Sequence, residues 1–298
     1  MRVLITGIGG FVGRHLASRL TAVGHDVYGL SLRPAADVAA VEVHTADVRD
    51  RDQVDEVVAS SHPEAVVHLA GLARPRANRP PDEFMGVNVG GTQNVVESVS
   101  QLDVARIVLA SSGQVYGKVE PESQPISEDH PRAPLSPYGE SKAKAEDIVL
   151  SHPAGMVVRS FNSIGQGQPP GFALPDFAHK LADIKAGRRE VLECGNLSAR
   201  LDFLHVSDAV EGYRAVLEHG EPGAIYNLAS GVDRLMEEML DLLIEVSGVR
   251  ARVEAGLAEP VIGLLKGDNQ RLRALGWQPA HTVGEALQEL WDEVSRAA

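Results

Sequence analysis

The 298-residue chain has one cysteine, comparatively few basic residues and no long apolar run. The single cysteine, Cys194, excludes an internal disulfide and is typical of a protein in a reducing cytoplasm. No apolar run reaches the length of a membrane span, and the first residues form a strand and a glycine turn rather than a signal peptide. We therefore expect a cytoplasmic protein without a membrane segment.

The scarcity of basic residues limits the classes of partner. The chain has 28 lysine and arginine residues against 41 aspartate and glutamate residues, and its formal net charge is −13. This charge argues against a surface for nucleic acid or for anionic membranes, and an anionic ligand would need local donors. The histidines show no ligand spacing such as His-Glu-x-x-His, so we predict no metal site.

A glycine-rich turn follows the first predicted strand, Arg2–Thr6, and precedes an amphipathic helix at about residues 11–23. This order is typical of the opening of a doubly wound dinucleotide-binding sheet, although a glycine turn can also be only a tight connection. The backbone N–H groups at the start of such a helix can approach a pyrophosphate closely. The predicted cofactor contacts are Gly7, Gly10, Phe11, Val12 and Gly13.

The residues after the second predicted strand, His25–Leu30, bear on the choice of cofactor. An NAD site usually has an acidic residue there for the adenosine ribose. This chain has Ser31 and Arg33 instead, and Asp26 comes too early, at the start of the strand rather than after it. A hydroxyl and a guanidinium suit a 2′-phosphate. We therefore expect NADP(H) rather than NAD(H), the alternative being that Arg33 is only a solvated loop cation.

Further strands alternate with helices along the chain, which predicts a parallel sheet whose crevice lies beyond the carboxyl ends of the strands. Asp47 follows the third strand, where it could accept a hydrogen bond from the adenine or merely cap the helix that begins at Arg51. The loop at residues 72–81, with three prolines and three arginines, is predicted to be an exposed connection. The cofactor contacts predicted after the third and fourth strands are Asp47, Val48, Leu69 and Ala70.

Tyr138 and Lys142 stand four residues apart at the start of a predicted helix at residues 139–150, which puts them on one face. No other tyrosine in the chain has a lysine four residues on. An ammonium beside a phenol stabilises the phenolate, so we expect the pKa of Tyr138 to fall below its usual value of about 10. Such a phenol can protonate an oxygen that gains negative charge. The alternative is a chance motif with Tyr138 in the core.

The glycine turn, the Ser-Ser-x-x-Val-Tyr-Gly segment at residues 111–117 and Tyr138-x-x-x-Lys142 together resemble the extended short-chain dehydrogenases/reductases, in order and over the whole chain. The resemblance implies a catalytic triad of Ser112, Tyr138 and Lys142. In it, Ser112 holds the substrate oxygen, Tyr138 exchanges its proton, and Lys142 binds the nicotinamide ribose and lowers the pKa of the tyrosine. Asn88 would order the lysine through a water molecule.

The resemblance also implies a fold and an assembly. We expect an α/β protein with a doubly wound, parallel Rossmann-type sheet and a smaller, α-rich C-terminal substrate domain. The dinucleotide-binding domain would span residues 1–165 with a returning strand near 224–228, and the substrate domain would span 166–298, interleaved with the first. A homodimer is expected through the helix after Asn88 and the helix at 138–150, although an apolar second face can also pack within its own domain.

In detail, residues 159–168, 195–197 and 267–277 most resemble those of family members that reduce nucleotide-linked 4-keto-6-deoxyhexoses, especially the ketosugar derived from GDP-mannose. Related dehydratases have carboxylates directly after the triad serine, where this chain has Gly113 and Gln114, so dehydration is disfavoured. Cys194 does not match the cysteine of the related epimerase-reductases. Hydride transfer to a sugar ketone remains. The predicted substrate contacts are Ser112, Gly113, Gln114, Asn162 and Arg200.

The diphosphate of such a substrate leaves alternatives open. The family commonly has arginines where this chain has Leu201 and Glu259. Other residues could substitute for them, namely Arg200, Asn162 and Lys266 or Arg271, or the ketone could belong to a sugar or cyclitol without a nucleotide. A second alternative is an NAD(P)-dependent sugar 4-epimerase, which needs no external reductant. A third is a non-catalytic nucleotide sensor, which we disfavour because the whole triad is present.

Overall fold

The structure is a computed structural model that describes residues 1–73 and 80–297. Its main sheet has seven strands, and every neighbouring pair is parallel. From one edge to the other the strands are Ile225–Leu228, Gly155–Ser160, Arg106–Ser112, Ala65–His68, Arg2–Thr6, Asp26–Ser31 and Glu42–Thr45. The exposed connection predicted at 72–81 falls mainly on residues 74–79, which lie outside the described part of the chain.

Alternate residues of the central strands enter two separate apolar layers, because successive side chains of a strand point to opposite faces. Val3 and Ile5 belong to one core cluster and Leu4 to the other. Helices Phe11–Ala22 and Val206–His219 cover the first face, and helices Arg51–Ser61, Gly91–Val99 and Pro137–Leu150 cover the second. The predicted doubly wound, Rossmann-type sheet is confirmed.

The segment around Asn88 differs from the expectation that a helix begins after this residue. Asn88 instead lies inside a continuous helical run, in a wider π-helical stretch at Met85–Gly90 between helices Pro81–Phe84 and Gly91–Val99. Such wide turns change the direction of nearby side chains and are frequent at functional sites. The sequence has no proline within 85–90, but Gly86 and Gly90 weaken the helix there, and neither residue by itself identifies a wider turn.

A smaller lobe packs its three main helices, Ala173–Lys185, Met236–Ser247 and Val283–Ala297, around a core of its own. Four short strands form one sheet in this lobe: Asn162–Ile164, Arg200–His205, Asp233–Leu235 and Leu264–Leu265. Two more strands, Val191–Cys194 and Arg252–Ala255, pair with each other in parallel. Short helical turns are at Gly113–Tyr116, Pro121–Ser123 and Gln270–Arg273.

The chain returns to the main sheet after it has entered the smaller lobe. Strand Ile225–Leu228 pairs with Gly155–Ser160, and the Asn227 side chain is buried at this edge. Its Nδ2 donates to the Ile126 carbonyl at 2.8 Å, and its Oδ1 accepts from the Tyr116 hydroxyl at 2.7 Å. A domain boundary at residues 165–166 stays a prediction. Within the described residues, no helix combines the length and apolar character that a bilayer span requires.

Candidate active site

A cavity of about 550 Å³ lies beyond the carboxyl ends of the central strands, and residues of both lobes line it. Its position agrees with the rule that open parallel sheets bind ligands at this edge. The predicted site residues that line it are Gly7, Gly10, Phe11, Val12, Gly13, Leu69, Ser112, Gln114, Tyr138, Lys142 and Asn162.

A second cavity of about 150 Å³ adjoins the first and shares Ser112, Gln114 and Asn162 with it. Gly113 lines this smaller cavity, where a Cβ atom at its position would come within 3.2 Å of the Phe161 ring. Asn162 is held by a hydrogen bond from its Nδ2 to the Asp202 carbonyl at 3.0 Å. The structure thus brings four of the five predicted substrate contacts to these two connected spaces.

The glycine turn has the geometry that a pyrophosphate requires. Gly7 has a φ of +71°, and a Cβ atom at Gly13 would lie 2.4 Å from the Gly7 carbonyl oxygen, so both positions need glycine. Gly10 precedes helix Phe11–Ala22 and has no side chain to cap it. The first N–H groups of a helix have no partner within the helix, and the dipole there favours an anion. These residues therefore fit the pyrophosphate of a dinucleotide.

Ser112 ends strand Arg106–Ser112 with its hydroxyl at the cavity. Its Oγ accepts a hydrogen bond from the Gln114 backbone N–H at 3.2 Å, so the hydroxyl proton remains available for donation. The neighbouring Ser111 instead donates to the buried Glu146 carboxylate. Of the two adjacent serines, Ser112 is therefore the one whose hydroxyl is directed to Tyr138 at the cavity rather than to a buried carboxylate.

Tyr138 lies at the first turn of helix Pro137–Leu150, which begins two residues before the predicted start. Ser136 caps the helix by accepting from the Gly139 N–H at 3.1 Å, and Pro137 suits the first helical position. Burial raises the pKa of Tyr138, and a hydrogen bond with Ser112 offsets only part of this effect. The predicted fall in its pKa is therefore wrong for the protein without a ligand, because desolvation of the phenolate outweighs its neighbours.

Lys142 explains why the expected stabilisation of the phenolate is absent here. Its Nζ donates to the Ala110 carbonyl at 2.8 Å, and the side chain is buried. Burial lowers the pKa of Lys142 to about 8, and the Glu146 carboxylate opposes this shift. The amine therefore lies at the end of the central strand, within the main cavity, and remains mostly protonated at neutral pH.

Asn88 does not line either cavity but holds the wall of the larger one. Its Oδ1 accepts from the Leu72 N–H at 2.7 Å, and its Nδ2 donates to the Leu72 carbonyl at 3.1 Å and to Ser141 Oγ at 2.9 Å. Leu72 lines the cavity, and Ser141 precedes Lys142. These contacts give Asn88 a positioning role. Its predicted link to the lysine through water stays a prediction.

At the expected adenosine end, Ser31 is buried against the glycine turn, since a Cβ atom at Gly9 would lie 2.6 Å from Ser31 Oγ. Arg33 is exposed. Arg14, which sequence reasoning missed, donates from Nε to the Gly9 carbonyl at 3.1 Å and forms an ion pair with Asp37. Neither Ser31 nor Arg33 lines the main cavity.

Asp47 forms an ion pair with Arg49 and also accepts from the Arg49 N–H at 2.9 Å. Helix Arg51–Ser61 is capped by Asp50, whose side chain accepts from the Gln53 N–H at 3.2 Å. The alternative that Asp47 caps this helix is therefore wrong. Of the other predicted contacts outside the main cavity, Val48 packs against Gly91 and Ala70 packs against Gly7.

Arg200 does not lie where a substrate contact was expected. It is exposed and lines neither cavity, and its Nε donates to Asp233 Oδ2 at 2.6 Å. Lys266 Nζ lies 3.5 Å from the same carboxylate. Among the described residues that line the two cavities, Lys142 is the only lysine or arginine. The expected replacement of the missing diphosphate arginines by Arg200 is therefore absent from this geometry.

Two hydroxyl groups that sequence reasoning missed also line the main cavity. Ser160 and Tyr213 lie with their oxygens 2.7 Å apart, and burial raises the pKa of Tyr213. Tyr213 has no lysine four residues on, and nothing local distinguishes it from a core tyrosine. Strand Gly155–Ser160 and helix Val206–His219 are distant in sequence, so only the fold reveals the pair.

Comparisons with known proteins agree with this site. Residues 3–229 match the NAD dependent epimerase/dehydratase family. The chain is 32% identical to GDP-6-deoxy-D-mannose reductase of Pseudomonas aeruginosa over 97% of this chain and 95% of the relative. It is 28% identical to UDP-glucose 4-epimerase of Bacillus subtilis over 98% and 96% of the two chains.

Solved structures of a reductase and of an epimerase are also similar to this chain. RMD from Pseudomonas aeruginosa complexed with NADPH has a TM-score of 0.89 at 30% identity and covers 100% of both chains. The UDP-glucose 4-epimerase of Thermus thermophilus in complex with NAD has a TM-score of 0.89 at 27% identity, with the same coverage. The expected family and the expectation of an enzyme are both confirmed. The chain belongs to the NAD-dependent epimerase/dehydratase family, whose enzymes are NAD(P)-dependent extended short-chain dehydrogenases/reductases.

Proposed function

We propose that the protein is an NADPH-dependent reductase that transfers hydride to the keto group of a 4-keto-6-deoxyhexose, most naturally a nucleotide-linked one. The observation that carries the proposal is the meeting of Ser112, Tyr138 and Lys142 at one cavity, next to a glycine turn that fits a pyrophosphate. The similarity to a GDP-6-deoxy-D-mannose reductase supports the substrate class.

The side chains divide the work of reduction between them. NADPH, when bound, supplies the hydride. Ser112, which accepts from the Gln114 N–H and hydrogen-bonds with Tyr138, would turn its hydroxyl proton toward the carbonyl oxygen. Tyr138 is protonated at neutral pH, since burial raises its pKa, and it can therefore give a proton to the oxygen. Two preorganised donors at one oxygen stabilise the charge that develops there.

Lys142 would act after the proton has left Tyr138. Its ammonium, whose pKa is about 8, is protonated in most molecules at neutral pH and lies one helical turn from the phenol. Positive charge at this distance stabilises a phenolate as it forms. The role of Lys142 would also include a hydrogen bond to the nicotinamide ribose in place of the Ala110 carbonyl.

The surroundings of Gly113 support reduction rather than dehydration. A dehydratase of this family needs carboxylates directly after the triad serine, and a Cβ atom at Gly113 would already lie 3.2 Å from the Phe161 ring. Gln114, the next residue, cannot exchange protons as a carboxylate does. An acid or base at either position would require another side chain and, at Gly113, movement of the aromatic ring.

We further propose NADP(H) as the preferred cofactor and a homodimer as the assembly. Ser31 lies against the glycine turn and Arg33 is exposed two residues later in the chain, and a 2′-phosphate would need a hydroxyl and a cation. One similar structure is a complex with NADPH, whereas an epimerase of equal TM-score is a complex with NAD. Dissociation constants for both cofactors, and light scattering for the mass in solution, test these two points.

The central experiment is NADPH oxidation over a panel of GDP-, dTDP- and UDP-linked 4-keto-6-deoxyhexoses. Tyr138→Phe removes the proton donor and keeps the ring, so turnover should fall by about 10²- to 10⁴-fold. The matched control is Tyr116→Phe, because the Tyr116 hydroxyl is buried against Asn227 and lines neither cavity. Near-normal turnover in Tyr138→Phe would contradict the mechanism.

One observation favours a second candidate, a ketoreductase for a sugar or cyclitol without a nucleotide. Lys142 is the only lysine or arginine among the described cavity residues, and Arg200 is paired with Asp233 outside. The assay panel should therefore include ketosugars without a nucleotide, and a preference for them would establish this candidate. Interconversion of two sugars by protein that retains NAD, without added NADPH, would instead indicate a 4-epimerase.

A further inference from the structure

We propose that Arg14 is a second ligand for the 2′-phosphate of the cofactor, and that Asp37 holds its guanidinium until the phosphate displaces the carboxylate. The inference rests on the NADP(H) preference in the proposed function and adds to it a specificity residue and an internal competitor. It comes from the arrangement of four residues around the glycine turn.

Arg14 and Ser31 both lie against Gly9 of the glycine turn. Arg14 follows Gly13 in the first helix, and its Nε donates to the Gly9 carbonyl at 3.1 Å. Gly9 also packs against Ser31, since a Cβ atom at Gly9 would lie 2.6 Å from Ser31 Oγ. The guanidinium and the hydroxyl expected to bind a 2′-phosphate therefore contact the same residue of the turn.

Arg14 forms an exposed ion pair with Asp37. Asp37 lies in the segment after strand Asp26–Ser31, and its Oδ2 accepts from Arg14 Nη1 at 2.5 Å. The Asp37 side chain is 74% exposed and that of Arg14 is 41% exposed, so water can reach the pair. The hydrogen bond from Arg14 also lowers the pKa of Asp37. The carboxylate is thus ionised and occupies a guanidinium face that is open to a ligand.

Exchange of the carboxylate for a phosphate is favourable on general grounds. Both groups accept paired hydrogen bonds from a guanidinium, but a phosphate carries about −1.5 to −2 charges against −1 for a carboxylate. Exposed ion pairs are weak, so little is lost when Asp37 turns away. Arg33, which is exposed two residues after Ser31, would be a further cation for the same phosphate.

This arrangement makes a distinct prediction for each nucleotide. A ligand without a 2′-phosphate leaves the ion pair of Arg14 and Asp37 intact, so the pair does not change the affinity for this ligand. A ligand with a 2′-phosphate gains Arg14 but must displace Asp37 first. Asp37 should therefore weaken the binding only of ligands that carry a 2′-phosphate.

The test is calorimetric titration of the full-length protein with 2′,5′-ADP and with 5′-AMP, which reports binding without any turnover. Arg14→Met should weaken 2′,5′-ADP by about 10-fold or more, as expected for loss of a charge-assisted hydrogen bond, and leave 5′-AMP within about 2-fold. Asp37→Asn should tighten 2′,5′-ADP several-fold, and this gain should vanish in the double variant. Arg252→Met is the matched control, because it removes an exposed arginine paired with Glu254 in the other lobe.

The outcomes separate this inference from the proposed function. Wild-type protein that binds 5′-AMP as tightly as 2′,5′-ADP would refute the NADP(H) preference itself. A wild-type preference for 2′,5′-ADP that survives Arg14→Met would refute only the role of Arg14. Equal weakening of both ligands by Arg14→Met would show that Arg14 merely supports the turn through Gly9. An unchanged affinity of Asp37→Asn for 2′,5′-ADP would refute the proposal that Asp37 competes with the 2′-phosphate for Arg14.

Discussion

Glu146 connects the catalytic helix to the central sheet through a buried ion pair. Its side chain is fully buried one turn after Lys142, and Arg159 Nε and Nη2 donate to it at 3.0 and 2.8 Å. The Ser111 hydroxyl and Arg132 Nη1, at 3.2 Å, donate as well. We predict that Glu146→Gln destabilises the fold strongly, because it leaves the buried guanidinium of Arg159 opposite a neutral group.

The magnitude follows from the contacts. A glutamine offers one acceptor oxygen, and its amide nitrogen must face another donor. Removal of one partner from a buried ion pair costs about 3–5 kcal/mol. For a chain of this length each kcal/mol corresponds to about 2 °C, so we expect Tm to fall by about 6–10 °C. The Glu146 carboxylate also raises the pKa of Lys142, which should fall further below about 8 in the variant.

The assay is thermal unfolding followed by circular dichroism. Asp147→Asn is the matched control, because this neighbour pairs with Arg132 at 2.7 Å and is 62% exposed, so its loss should change stability by less than about 1 kcal/mol. The double variant Glu146→Gln with Arg159→Met should recover part of the loss, since the orphaned charge is gone. A Tm of Glu146→Gln within about 2 °C of the wild type would refute this account.

Three further predictions concern residues at or near the catalytic helix. Burial lowers the pKa of Lys142 to about 8 from 10.5, so its charge costs the folded state up to about 3 kcal/mol below pH 8, and this cost disappears as pH rises from 8 toward 10.5. Lys142→Met should therefore be more stable than the wild type at pH 7 in urea unfolding, with a smaller advantage at pH 10, although turnover is lost; lower stability at pH 7 would contradict the sign. Ser112→Ala should reduce kcat about 10²- to 10³-fold at near-normal stability. Ser111→Ala should instead lose about 1–3 kcal/mol of stability and keep most turnover, because it removes a donor to Glu146. NADPH oxidation and unfolding are measured for both variants, and a larger loss of turnover in Ser111→Ala than in Ser112→Ala would contradict this assignment.

The sheet and the glycine turn could be predicted because their signals are local. The apolar run that contains strand Ala65–His68 is buried on both faces, as a continuous run of this kind requires. Gly7 and Gly13 are needed for the backbone itself, so their spacing identifies the turn without knowledge of distant contacts. Tyr138 and Lys142 share a helix, which is why their meeting at one cavity follows from a spacing of four.

The rest depends on contacts between residues that are distant in sequence. Arg200 resembles a free cation in the sequence, but Asp233, which lies on a neighbouring strand, takes its guanidinium. The direction of the Tyr138 pKa depends on how much water the fold removes, which a motif does not reveal. The cap of helix Arg51–Ser61 required a choice between two nearby aspartates, and the sequence interpretation considered only Asp47.

The returning strand has a consequence for synthesis on the ribosome. Strand Gly155–Ser160 is translated first, and its outer neighbour, Ile225–Leu228, follows only after the first elements of the smaller lobe have been translated. At about 5–20 residues per second, the nascent chain carries an unpaired sheet edge for several seconds. Such an edge is a template for pairing with other chains, so translation speed and chaperone access between residues 160 and 225 should govern the yield of native protein in the cell.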